Sequence, residues 1–95
     1  MRPLIIISDV KTGTSTNKIS FEERIRQFGF YAFLTNQAWI VFTNDSVVDV
    51  RDSLLPFLAS NDKLFVGEVS APAAWTTTVD KIVSDWIINN LKQRF

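Results

Sequence analysis

Three segments of this chain are apolar on both of the faces that a β-strand presents. In Leu4–Ile7, Leu4 and Ile6 alternate with Ile5 and Ile7. In 30–34, Phe30, Ala32 and Leu34 alternate with Tyr31 and Phe33, and in 38–43 Ala38, Ile40 and Phe42 alternate with Trp39 and Val41. Successive strand side chains point to opposite faces, so a sheet built from these segments must be covered on both sides. Leaving roughly five such side chains in water would forfeit about 1.5–3 kcal/mol each. The bare patch would also exceed what soluble monomers expose. The expected cover is a second copy of the chain, making a homodimer. The alternative is the C-terminal segment folded back across the sheet, or both together.

The order of elements defines the sheet. After the first strand, Lys11–Lys18 is polar and aperiodic and reads as a loop. Ser20 and Glu23 match a capping box, opening a helix with Phe21, Ile25 and Phe28 on one stripe and Gly29 as its stop. Two strands joined at Asn36-Gln37 predict a tight hairpin, with Asn36 suited to a left-handed conformation. Asn44, Asp45 and Ser46 are N-cap candidates for a second helix carrying Val47, Val50, Leu54 and Leu58, its last turn loosened by Pro56. A turn at Asn61-Asp62 leads to a fourth strand, Lys63–Val69. Residues 74–79 suit either a connection or a short fifth strand. From about Thr78 to Arg94, Val79, Ile82, Val83, Trp86 and Leu91 form an apolar helical stripe. The pattern predicts an α+β, ferredoxin-like βαββαβ sandwich with antiparallel sheet order 4-1-3-2 and an extra C-terminal helix. It is read as a single domain over 1–95, with 78–94 the helical extension.

Composition narrows the chemistry. The 95 residues carry ten Lys+Arg and ten Asp+Glu, a formal charge of zero, which excludes a histone-like polycation. With no Cys and no His, thiol, zinc-ribbon and imidazole chemistries are closed. No stretch approaches the roughly 20 apolar residues of a membrane span, and the opening run is too short for a secretory leader. The expected location is the cytoplasm, without membrane partners. Charge is uneven: five basic and three acidic groups lie in residues 1–31, three and seven in 32–85, and two basic groups in the last ten.

Candidate contacts follow from that layout. Lys11, Thr14 and Lys18, with Arg24 and Arg26, form the one basic concentration and are candidates to meet phosphate or nucleic-acid backbone. The loop lacks the Gly-Lys-Ser/Thr order of a phosphate loop. Trp39, Trp75 and Trp86 are poor base-stacking platforms, because residues 30–43 contain no charge. Asp45, Asp49, Asp52 and Asp62 fit no calcium-loop spacing. Asp9 ends the central strand, where ligands gather in open sheets. It is the one candidate catalytic and metal-binding residue. Phe30, Phe33, Trp39 and Val41 are the expected dimer-interface residues.

Strand one ending in Asp9, the Ala38-Trp39-Ile40-Val41 hairpin, Asp45-Ser46 opening a helix, Arg51–Leu58 followed by Asn61–Val66, and Ala74-Trp75 together resemble a known group. These are the small ferredoxin-like proteins of the CRISPR adaptation machinery (the second CRISPR-associated protein) and their uncharacterised bacterial look-alikes. The resemblance covers most of residues 3–76. It implies a homodimer formed through the sheet. In nuclease members the strand-one Asp faces its symmetry mate and the pair holds a divalent metal, which would make Asp9 a Mg²⁺ ligand here. Where the family has a C-terminal strand, Thr78–Arg94 reads as a helix. The expected function is a homodimeric interaction module, acting through protein or nucleic acid and catalytically silent. The alternative is a Mg²⁺-dependent endonuclease on RNA or DNA, a toxin-type ribonuclease included, using paired Asp9 carboxylates.

Overall fold

Four antiparallel strands form one sheet in the order β2-β3-β1-β4, which is the expected 4-1-3-2 order read from the other edge. The computed structural model describes residues 1–9, 15–70, 73–76 and 78–91, except the side chains of 15–18 and 91. The elements run β1 (Arg2–Asp9), α1 (Ser15–Arg26), β2 (Tyr31–Thr35), β3 (Ala38–Thr43), α2 (Val47–Leu54), β4 (Lys63–Glu68) and α3 (Lys81–Leu91). This is the ferredoxin-like α+β arrangement with one added helix.

Register sorts the side chains into two faces. β1 lies between β3 and β4, with Ile6 opposite both Trp39 and Val66. Leu4, Ile6, Trp39 and Val41 therefore share the inner face, where they pack with Phe21 and Ile25 of α1 and Val50 and Leu54 of α2. The outer face carries Ile5, Ile7, Ala32, Ile40 and Phe65. Its β2–β3 half is covered by α3: Ile87 is buried with Ala32 and Ile40, and Ile5, Leu34, Val83 and Trp86 pack around them. The C-terminal helix thus does fold back over the sheet, and double-sided apolarity on β2 and β3 is used within one chain.

Local chemistry explains the boundaries. Ser46 caps α2, its hydroxyl accepting from the Asp49 amide at 3.0 Å. Pro56 follows, and the last turn tightens to a 3-10 helix at Leu55–Phe57. Gly29, at φ +86°, takes the left-handed conformation after α1. Ala59 and Asp62 close the turn before β4, the Ala59 amide donating to Asp62 Oδ2 at 2.8 Å.

Two local expectations are corrected and one open alternative is settled. α1 begins at Ser15, so Ser20 and Glu23 lie inside the helix instead of capping it. Asn36 is not left-handed, since no described non-glycine residue has positive φ. A register shift between Phe33 and Thr35 takes up the hairpin's twist, and the Gln37 amide donates to the Thr35 hydroxyl at 3.0 Å. Described residues 73–76 form no strand. Instead the Trp75 indole N–H donates to Ser84 Oγ at 2.8 Å, tying the connection to α3.

Candidate functional site

Asp9 sits at the carboxyl end of β1, directly opposite Lys63 on β4. With Ile7, Ser8, Lys63, Leu64 and Phe65 it lines an open cleft of about 260 Å³. The next outward-facing pair along the two strands is Ile7 and Phe65. Both point to the outer face, beyond the half that α3 covers, and remain 44% and 59% exposed. Polar and apolar groups are therefore adjacent here: one carboxylate, one ammonium, and an exposed aliphatic–aromatic pair.

The donor set decides whether this cleft suits a divalent metal. Mg²⁺ takes oxygen ligands in near-octahedral geometry, commonly one or two carboxylates completed by water and phosphate. Asp9 is partly buried and already engaged in interactions of the fold, and its cross-strand neighbour is a cation. Among the described residues no group of three or more His, Cys, Asp or Glu side chains could hold a metal. The described residues of a single chain do not fit the ion.

The basic candidates divide into two sets. Lys11 and Thr14 lie outside the described residues, as does the side chain of Lys18. Arg24 and Arg26 are on α1 but are used within the chain. The Arg24 guanidinium lies over the Phe28 ring at 4.6 Å, while Arg26 pairs with Glu23 at 3.3 Å and sits 5.9 Å from the Trp39 ring centroid. Both remain partly exposed.

No protein-family model matches the chain, and no curated protein matches it.

The four expected interface residues do not form one surface. Trp39 and Val41 are buried on the inner face beneath α1 and α2. Phe33 is on that same inner side, edge-on to Trp39 with centroids 4.9 Å apart, and is itself 39% exposed. Phe30 precedes β2, its carbonyl accepting from the Phe42 amide at 2.9 Å, and its ring is exposed. Alternation alone does not say which face a helix will claim.

Sequence reasoning missed the exposed pair that the structure does bring together, Ile7 with Phe65. Both are apolar, but their pairing depends on the β1–β4 register, which no local pattern encodes. A second open cleft, about 290 Å³, lies between the 75–79 connection and the start of α3, lined by Trp75, Thr76, Val79, Lys81 and Ser84. The Lys81 pKa is raised above its ordinary value by a 2.9 Å hydrogen bond to Asp85, so that ammonium stays charged. No helix among the described residues is long and apolar enough to cross a membrane.

Proposed function

We propose that this chain is a homodimeric interaction module, built on the frame of the CRISPR-adaptation proteins it resembles and acting by contact instead of catalysis. The observation that carries the reading is the bare Ile7–Phe65 pair beside the α3-covered half of the outer face. Burying such side chains fully is worth about 1.5–3 kcal/mol each. A second copy is the occupant that the charge favours, because a formal charge of zero sets up no long-range repulsion between copies. The test is sedimentation velocity across the micromolar range, comparing wild type with the Ile7→Ser/Phe65→Ser double variant. The reading expects a wild-type dimer and a folded, monomeric variant. A wild type that stays monomeric throughout contradicts it.

The competing reading is a Mg²⁺-dependent endonuclease with Asp9 carboxylates paired across the dimer. It is favoured by Asp9's place at the end of a central strand, next to the exposed pair. Incubating labelled single-stranded RNA and duplex DNA with Mg²⁺ or Mn²⁺ decides between them. The interaction-module reading expects no cleavage; cleavage that Asp9→Ala abolishes would establish the enzyme.

A further inference from the structure

The two edges of the sheet are unlike. β2 is short, carries the register shift between Phe33 and Thr35, and packs against α3. β4 is regular over all six pairs with β1, from Leu4 opposite Glu68 to Asp9 opposite Lys63. It has no proline, its charges stand only at its two ends, and no described strand pairs with its outer side. Natural edge strands are usually blunted by a bulge, a proline or a central charge. β4 carries none of these.

Hydrogen-bond parity shows which groups that edge presents. The Val69 amide donates to the Pro3 carbonyl at 3.1 Å, so the odd-numbered residues of β4 direct their backbone groups toward β1. The amides and carbonyls of Leu64, Val66 and Glu68 therefore face outward. We infer that β4 pairs antiparallel with β4 of a second copy about a twofold axis at Val66, joining the two sheets into one of eight strands. This inference rests on the homodimer proposed above and places its interface at the β4 edge, where Phe65 stands beside the axis and Ile7 lies one strand in.

Register follows from charge and size. Only outward-facing residues can bond across the axis, and the two such registers that overlap most of β4 centre on Val66 and on Phe65. Centring on Phe65 would set Asp62 against Glu68 of the second copy, like charges directly opposed. Centring on Val66 sets Leu64 against Glu68 and Phe65 against Gly67. The Phe65 ring already lies over its own Gly67, where an added Cβ would come within 2.9 Å of it. Gly67 adds no side chain of its own opposite Phe65, so only the two Phe65 rings flank the axis on that face. At about 4.8 Å between strands and about 3.3 Å per residue, this register holds the two Asp9 residues more than about 20 Å apart. They share no metal in such a dimer.

Two kinds of variant test the pairing. Glu68→Pro removes an outward amide that β1 does not use, at an exposed edge position where proline is tolerated. It is expected to raise the dimer dissociation constant roughly tenfold or more, with the circular dichroism of the monomer unchanged. The chain has no cysteine, so Val66→Cys and Phe65→Cys report register by oxidative cross-linking. Hydrogen-bonded partners lie about 5.5 Å apart at Cα, within disulfide reach. Val66→Cys is expected to cross-link and Phe65→Cys is not. A wild type monomeric at every concentration overturns this inference together with the homodimer. A wild-type dimer that Glu68→Pro leaves intact, or one that cross-links through Phe65→Cys instead, overturns the pairing alone and leaves the homodimer standing.

Discussion

At the scale of single residues, the positions that read correctly are those whose role is settled within a few bonds. Gly29 was legible because only glycine takes positive φ without cost after a helix, and it stands at φ +86°. No atom would crowd a Cβ there, so Gly29→Ala isolates backbone strain. It is expected to lower stability by about 1 kcal/mol, read by chemical denaturation. Ser46 was legible as one of three cap candidates, and Ser46→Ala is expected to cost about 1 kcal/mol in the same measurement. Ser20 misled because a capping box is a local pattern. The helix continues upstream to Ser15 through residues with no apolar periodicity to announce it.

At the scale of elements, the strands and the first two helices were legible from periodicity, whereas the orientation of α3 was not. The expected stripe included Ile82, which is 84% exposed, and omitted Ile87, which is buried against Ala32 and Ile40. A helix with apolar residues on several sides has no single stripe, and the sheet it meets chooses the face. The contrast gives a paired prediction. Ile87→Ala is expected to cost about 2–5 kcal/mol in thermal or urea unfolding, while Ile82→Ala stays within about 0.5 kcal/mol. Equal effects would mean that α3 does not lie on the sheet as described. Trp75→Phe, which loses the indole donor to Ser84, is expected to cost about 1 kcal/mol.

At the scale of the whole molecule, the sequence required cover on both faces of the sheet and left open what supplies it. Within the chain that cover is shared among the helices. α1 and α2 take the inner face, α3 takes half of the outer face, and Ile7 with Phe65 is left over. The candidate site was legible only as far as Asp9's place at a strand end. Its opposition to Lys63 depends on the register of a long-range strand pair, which no local pattern encodes. With the α1 arginines engaged by Glu23 and two aromatic rings, weak contact with nucleic acid is expected, with a shallow dependence on salt. A steep salt slope in fluorescence-anisotropy titrations would instead reveal many phosphate contacts.

The most direct probe of the proposed dimer is amide hydrogen exchange on β4, followed residue by residue from dilute to concentrated protein. If a twin chain occupies the free edge, exchange at Leu64, Val66 and Glu68 slows as concentration rises, while the amides bonded to β1 are protected throughout. Fast exchange at those three positions at every concentration would contradict it.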